Sequence, residues 1–136
     1  MRLQASAIAI QGRAVLIRGA PGSGKSSLAL GLIDRGATLI GDDGVTLDLQ
    51  GDTLFAAPPP NIAGLLEVRG VGLLTLETTS ATVALMVAIG SAAERLPEAL
   101  PQTDILGKNV PTLCLAGTDW TSPMRVECAL QMHGLT

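Results

Sequence analysis

A glycine-rich segment with one lysine and one hydroxyl residue carries the clearest chemistry in this sequence. It fits the pattern GxxxxGK[ST] at every defined position, with the residues Gly19, Ala20, Pro21, Gly22, Ser23, Gly24, Lys25 and Ser26. Glycines let successive backbone N–H groups turn towards one phosphate, the lysine reaches the outer phosphates, and the serine hydroxyl is a ligand for Mg²⁺. The segment therefore predicts a nucleotide-binding loop. The alternative is a tight strand-to-helix turn with a solvated lysine.

Two adjacent carboxylates follow the apolar stretch TLIG, at Asp42 and Asp43. Nucleotide hydrolases carry an aspartate at such a strand end to hold the metal. Adjacent side chains of an extended chain point to opposite sides. One aspartate is therefore expected to face the phosphates, and the other solvent or a backbone cap. The alternative is a plain Gly-Asp-Asp-Gly turn.

A third polar group interrupts the apolar segment LLEVRGVGLL, residues 65–74. On an extended strand Glu67 and Arg69 share one face. The functional interpretation is a carboxylate near the metal, on a loop that bends at Gly70 and Gly72. The alternative is an exposed ion pair on an edge strand.

The elements that must position these groups read as an alternation of short strands with two helices. The phosphate loop lies between a buried strand, 14–18, and a helix with apolar spacing, 26–35, that stops at Gly36. Ser122 as N-cap and Pro123 at the first helical position predict a second helix. Asn61 is expected to cap a short helical turn, and residues 90–104 are expected to be irregular. The remaining predicted strands are 3–10, 37–41, 45–50 and 53–57 as a hairpin, 72–78, 81–89 and 110–116.

Length and composition favour one strand-rich α/β domain over residues 1–136. Nine basic residues face twelve acidic ones without a basic cluster, and aromatic residues make up 1% of the chain, which argues against nucleic acid as a partner. No apolar run is long enough to cross a membrane, and we find no signal peptide. Cys114 and Cys128 fit no metal spacing, so we predict two reduced, buried thiols in a cytoplasmic protein.

Together the segments GAPGSGKSSLAL, RGATLIGDD and LLEVRGVGLL resemble the HPr kinase/phosphorylase family, whose most distinctive signature is the last of the three. ERL at 94–96 and DILGKNVPTLCL at 104–115 resemble its C-terminal stretch, in the same order. The resemblance covers nearly the whole chain, and it does not include the usual N-terminal domain of the family. It therefore implies a short form with only the catalytic domain, an α/β P-loop kinase fold of the PEP carboxykinase-like kind.

This resemblance implies an activity and a set of roles. The family transfers phosphate from ATP, or from pyrophosphate in some members, to a serine of the phosphocarrier protein HPr in the phosphotransferase system, and many members reverse the reaction with inorganic phosphate. By the motifs, Asp43 would be the general base, Lys25 would stabilise the transferred charge, Ser26 and Glu67 would hold Mg²⁺, and Arg95 would be an active-site cation. Residues 66–75 would shape the pocket. A homo-oligomer, a hexamer in the family, is expected.

The chain departs from the family's pattern at three places. Gln4 stands where the family usually has a histidine before the phosphate loop, so no group titrates near pH 7 there. Ser27 replaces a residue that is often acidic. The segment AGTDWTSPMR, residues 116–125, replaces a proline- and arginine-rich loop associated with dephosphorylation, which makes weak or absent reverse activity the expectation. His133, the one histidine, has no partners at ligand spacing and is predicted to be a surface residue.

Two other functions stay open at this point. A small-metabolite P-loop kinase is disfavoured because the seven arginines of the chain are scattered, whereas such enzymes clamp their second substrate with several. A nucleotide-sensing module without turnover is disfavoured because Lys25, Asp43, Glu67 and Arg95 are all present.

Overall fold

Eleven strands and two helices make up the part of the chain that the computed structural model describes, residues 1–61 and 64–136. The strands are β1 (Arg2–Leu3), β2 (Ser6–Ile10), β3 (Arg13–Arg18), β4 (Thr38–Gly41), β5 (Val45–Gln50), β6 (Thr53–Ala57), β7 (Leu65–Val68), β8 (Gly72–Thr75), β9 (Ala81–Ile89), β10 (Gln102–Ile105) and β11 (Lys108–Leu115). The helices are α1 (Lys25–Asp34) and α2 (Ser122–His133). This is the strand-rich α/β architecture that the sequence predicts.

Strand β9 lies at the centre of a nine-stranded mixed sheet. On one side, β9 pairs with β3 in parallel. On its other side, the first residues of β9 pair with β6, and its last four residues pair with β11 in parallel. The order β1-β5-β6-β9-β3-β2-β4 continues the sheet in both directions, and β10 extends it beyond β11. Eight of the nine residues of β9 are buried, as expected for an apolar strand covered on both faces.

The sheet is buried on both faces, because two separate apolar clusters include alternate residues of the same strands. In β3, Val15 and Ile17 belong to the cluster that also holds the buried residues of both helices, and Ala14 and Leu16 belong to the other cluster. Side chains alternate between the faces of a strand, so this continuous apolar run serves two cores at once. The second cluster is rich in alanine, which lets its layer pack closely without aromatic side chains.

Helix α1 packs on the sheet through Leu28, Ala29 and Leu32, which are all buried. The helix ends where Gly36 adopts a left-handed φ of 111° and donates its N–H to the Ile33 carbonyl at 3.0 Å. The predicted helix 26–35 is therefore confirmed to within one residue at each end. No helix among the described residues is long and apolar enough to cross a membrane.

Five predicted boundaries were wrong. The single strand expected over 3–10 is divided, because β1 pairs with β5 whereas β2 pairs with β3 and β4. The N-cap of α2 is Thr121, one residue before the expected Ser122. The stretch 90–104, which was expected to be irregular, contains the start of β10. Strand β11 begins at Lys108, two residues before the expected start at 110. Strand β8 ends at Thr75, three residues before the expected 78.

The hairpin 45–57 forms as predicted, with its turn at Gly51 in the left-handed region. The helical turn expected after Asn61 lies outside the described residues. Cys114 is half-buried and Cys128 is exposed; both are free thiols, but the prediction that both are buried was wrong. His133 closes α2 and is half-buried rather than fully on the surface.

Candidate functional site

The carboxyl ends of three neighbouring parallel strands meet at one edge of the sheet. Strands β3, β9 and β11 run in the same direction and end at Arg18, Ile89 and Leu115. The loops that follow β3 and β11 touch. A Cβ atom added at Gly24 would lie 2.6 Å from Thr118 Oγ1, and one added at Gly19 would lie 3.2 Å from Ile89 Cβ. Ligands of open α/β sheets bind outside the carboxyl ends of the strands, so this edge is the candidate site.

Residues 19–24 connect β3 to α1 in the form that a phosphate loop requires. Gly22 and Gly24 have left-handed φ values of 80° and 105°, which a residue with a side chain rarely adopts. Gly24 is the N-cap of α1, and no side chain caps the helix there. The first backbone N–H groups of a helix have no intrahelical acceptor, and they favour an anion.

One buried hydroxyl in this loop lacks a partner. Ser23 Oγ makes no hydrogen bond with any described residue, although the Ser23 amide donates to the Ala20 carbonyl at 3.0 Å. An unsatisfied buried hydroxyl costs free energy, and this one does not line the cavity above the loop. The left-handed glycines and the uncapped start of α1 are the features of the loop that fit a nucleotide phosphate.

The Lys25 side chain lies inside the loop. Its Nζ donates to the Gly19 carbonyl at 3.0 Å and lies 4.0 Å from Asp43 Oδ1, and 10% of its side chain is exposed. The lysine is thus not the solvated residue of the alternative interpretation. It is held beside the position where the loop would place a phosphate.

The two adjacent aspartates have separate surroundings. Asp42 Oδ1 accepts hydrogen bonds from Ser6 Oγ and Ser26 Oγ, both at 2.8 Å, and Asp42 Oδ2 accepts from the Glu67 backbone N–H at 3.3 Å. Asp42 therefore joins β2, α1 and β7 at the floor of the site. It is the carboxylate in contact with the predicted magnesium ligand Ser26.

Asp43 is the exposed member of the pair. It adopts a left-handed φ of 58°, its side chain is 71% exposed, and its only recorded partner among the described residues is Lys25. Its carboxylate lines the cavity above the phosphate loop. The sequence predicted such a division without showing which aspartate takes which position.

Glu67 and Arg69 reach the same cavity from the separate two-stranded sheet of β7 and β8. Glu67 lies opposite Leu73 in this hairpin, and Gly70 and Gly72 supply its bend with φ values of 79° and 142°. No ion pair within the described part of the chain joins Glu67 to Arg69. The expected bend is confirmed, and the interpretation as an edge-strand ion pair was wrong.

The resulting cavity has a volume of about 350 Å³. Its lining combines Gln4 with most of the phosphate loop, Ser27, Asp43, Glu67 and Arg69. It gathers the predicted residues Lys25, Ser26, Asp43 and Glu67 at one place. Cations and carboxylates are therefore interleaved around it, as phosphoryl transfer requires.

The donors in the cavity fit a magnesium ion that is bound together with a nucleotide. Ser26 offers a hydroxyl and Glu67 a carboxylate, and oxygen is the ligand that Mg²⁺ prefers. Residues 1–61 and 64–136 contain no group of three or more His, Cys, Asp or Glu side chains placed to hold a metal. Phosphate oxygens and water would have to complete the coordination, which is usual for Mg²⁺ in such sites.

Arg95 is not brought to this cavity. It lines a second cavity of about 440 Å³ between the 92–101 segment, the edge of β11 and the first turns of α2, together with Arg125 and Cys114. Arg95 is not among the described residues that line the cavity above the phosphate loop. Its predicted role as an active-site cation therefore stays a prediction.

Two contributors to the site escaped the sequence analysis. Ser6 is a buried polar residue inside the apolar strand SAIAI, and this position was the available signal. Thr118 follows a parallel strand, and its approach to Gly24 depends on the strand order. Beside it, hydrogen bonds from the Thr121 hydroxyl and backbone N–H hold the pKa of Asp119 below its usual value.

Known proteins of one kind match this chain. Residues 1–116 match the family model described as HPr Serine kinase C-terminal domain. An HPr kinase/phosphorylase from Shouchella clausii is 47% identical over 70 residues, which are 51% of this chain and 23% of that protein. One from Cupriavidus necator is 49% identical over 70 residues, 51% of this chain and 22% of that protein. The aligned part is thus about a quarter of the length of these curated relatives.

A solved structure gives the broader match. The Hpr(Ser) kinase/phosphatase from Coxiella burnetii superposes with a TM-score of 0.82 at 25% sequence identity, covering 96% of this chain and 88% of that one. The fold expected from the sequence is therefore confirmed over nearly all of the chain.

Proposed function

Because the chain belongs to the HPr serine kinase C-terminal domain family, we propose that it is an ATP- and Mg²⁺-dependent kinase that phosphorylates a serine of an HPr-type phosphocarrier protein. The curated relatives carry the name HPr kinase/phosphorylase, which supports this acceptor.

The observation that carries the proposal is the division of labour between the adjacent aspartates. Asp42 is occupied by two serine hydroxyls and one backbone N–H. Asp43 leaves its carboxylate exposed in the cavity, near the Lys25 ammonium. A general base must be accessible and within reach of the proton that it removes, and the exposed Asp43 carboxylate in the cavity is placed for this role.

In the proposed reaction the acceptor serine hydroxyl attacks the γ-phosphorus and Asp43 accepts its proton. The bond from the γ-phosphorus to the bridging oxygen breaks, and ADP leaves. Lys25 and the backbone N–H groups of the phosphate loop stabilise the negative charge on the transferred group. Ser26 and Glu67 would hold Mg²⁺, which neutralises phosphate charge when bound.

We propose weak reverse transfer to inorganic phosphate. The 116–125 segment contains a single arginine, Arg125, and the side chain of Gln4 in the cavity does not titrate near neutral pH. Gln4 is uncharged and Arg125 lines the second cavity, so neither residue adds a cation to the cavity above the phosphate loop.

We also propose a homo-oligomer. The β7–β8 hairpin exposes several large apolar side chains beside the cavity: Val71 at 83%, Leu73 at 69%, Leu74 at 42% and Leu65 at 38%. An exposed apolar group of this kind is typical of a contact surface. Sedimentation of the wild type and of Leu73→Glu tests this, and a smaller assembly of the variant is expected.

Phosphorylation of an HPr protein from the same source tests the kinase. The purified chain is mixed with Mg²⁺, labelled ATP and HPr, and acid-stable label on a serine is measured. We expect Asp43→Asn to lower the rate by about 100- to 10,000-fold, the usual effect of a general base. Asp52→Asn, in the exposed turn between β5 and β6, makes the same charge change and should leave the rate unchanged.

Nucleotide binding without any labelled HPr would refute the proposed kinase and favour the nucleotide-sensing module. Loss of ATP binding in Asp43→Asn, with an unchanged transfer rate per bound complex, would refute the role of Asp43 alone.

A further inference from the structure

The phosphate cavity accounts for only one end of a nucleotide. Its lining is polar and consists of the phosphate loop, its charged neighbours and Gln4. The described residues that line it include no aromatic side chain on which a nucleobase could stack. A stacking partner for the base of a nucleotide bound there would therefore have to lie outside this cavity.

The segment that follows β11 lies at the correct place for this second contact. Thr118 packs against Gly24, the residue at the junction of the phosphate loop and α1. The parallel pairing of β11 with β9, and of β9 with β3, fixes this segment beside the loop. Residues 116–121 are thus the immediate neighbour of the phosphate loop on the side of β11.

Trp120 in this segment has an unusual exposure. The chain contains two aromatic residues, Trp120 and Phe55, and Trp120 is 81% exposed whereas Phe55 is half-buried. A tryptophan side chain gains more free energy from burial than most others, and it is rarely left this open without a partner. The largest aromatic surface of the molecule is therefore presented to solvent two residues from Thr118.

The backbone around Trp120 is held in an ordered turn. Asp119 Oδ1 accepts hydrogen bonds from the Thr121 N–H at 2.8 Å and from the Thr121 hydroxyl at 2.6 Å. The Asp119 N–H donates to Ser122 Oγ at 2.9 Å, and Ser122 is buried. The residues on both sides of Trp120 are thereby fixed before any ligand binds, which lowers the entropic cost of using the indole as a contact.

We propose that Trp120 is the stacking surface for the purine base of the nucleotide whose phosphates bind residues 19–26. The inference rests on the proposed nucleotide binding and adds the position of the base. The contact is a π-face contact, which a planar base can make without a matching hydrogen-bond pattern. It also gives the 116–125 segment a function in this chain.

Trp120 is the single tryptophan, so its fluorescence reports this contact directly. Wild-type protein is titrated with Mg²⁺–ATP and, separately, with Mg²⁺–tripolyphosphate, and dissociation constants are measured by calorimetry. We expect ATP to quench the Trp120 emission and tripolyphosphate to leave it nearly unchanged. Trp120→Ala should weaken ATP binding by about tenfold, while tripolyphosphate affinity stays the same.

Two further variants make the result specific. Trp120→Phe keeps an aromatic face and should retain most of the ATP affinity. Leu96→Ala removes another exposed apolar side chain, 87% exposed, that lines neither cavity, and it should change the affinity for neither ligand. An equal ATP affinity of wild type and Trp120→Ala, with tripolyphosphate still bound, would overturn the stacking role and leave the phosphate site intact. If the wild type bound neither ligand, the proposed nucleotide function would fail, and the inference with it.

Discussion

The two asparagine substitutions at the adjacent aspartates should act on different properties: Asp42→Asn should lower the free energy of unfolding, whereas Asp43→Asn should lower the rate of phosphoryl transfer with little loss of stability. In Asp42→Asn, the two 2.8 Å bonds from Ser6 and Ser26 lose their charge assistance. The amide nitrogen would also face the Glu67 N–H, which needs an acceptor. A hydrogen bond to a charged group contributes about 1 kcal/mol more than a neutral one, so the free energy of unfolding should fall by about 2 kcal/mol.

Asp43→Asn is the matched control because it makes the same chemical change at the next residue. Its side chain is 71% exposed and its contact with Lys25 is 4.0 Å long, so the loss of stability should stay below about 0.5 kcal/mol. Asparagine also tolerates the left-handed backbone of this position. Asp43→Asn should nevertheless remove most phosphoryl transfer, because Asp43 is the proposed general base.

Chemical denaturation followed by circular dichroism measures both variants, and thermal unfolding should show Asp42→Asn lower by roughly 7 °C. A double-mutant cycle between Ser6→Ala and Asp42→Asn should give a coupling of about 1 kcal/mol, since the two side chains share a hydrogen bond. Equal stabilities of the two asparagine variants would refute the assignment of Asp42 as the structural member of the pair.

Three further experiments test other parts of the site and its supports. Ser23→Ala removes a buried hydroxyl that has no partner in the described residues, so denaturation should show an unchanged or slightly higher free energy of unfolding; a loss of more than about 1 kcal/mol would contradict this. Gly24→Ala should lower the free energy of unfolding by about 1–2 kcal/mol, because alanine is strained at a φ of 105°. Adding Thr118→Ala removes the close contact with the new Cβ atom but not the backbone strain, so the double variant should not regain the lost stability. The Arg35–Glu127 ion pair between the helices is 2.9 Å long but partly exposed. A double-mutant cycle should therefore give a coupling free energy below about 1 kcal/mol, and a smaller one at high salt. A larger coupling that does not depend on salt would contradict this.

Local spacing was sufficient to predict the phosphate loop and the elements around it. The loop, β3 and α1 are consecutive, and their glycines, apolar spacing and helix stop act over a few residues. The bend at Gly70 and Gly72 was predictable for the same reason. The division of the first predicted strand was not predictable in this way. Strand β1 pairs with β5 and strand β2 pairs with β3, and these pairings are not visible in the local sequence.

The motifs of the sequence by themselves predicted Lys25, Ser26, Asp43 and Glu67 as members of one site, and all four line the same cavity. Only the tertiary structure decided what each aspartate touches. Strands β2 and β4 are neighbours in the sheet, which brings Ser6 within hydrogen-bond distance of Asp42, 36 residues away. The same strand order brings Thr118 to Gly24 and leaves Arg95 in a separate cavity. Such contacts depend on strand pairing over long sequence separations, and neither composition nor spacing encodes that pairing locally.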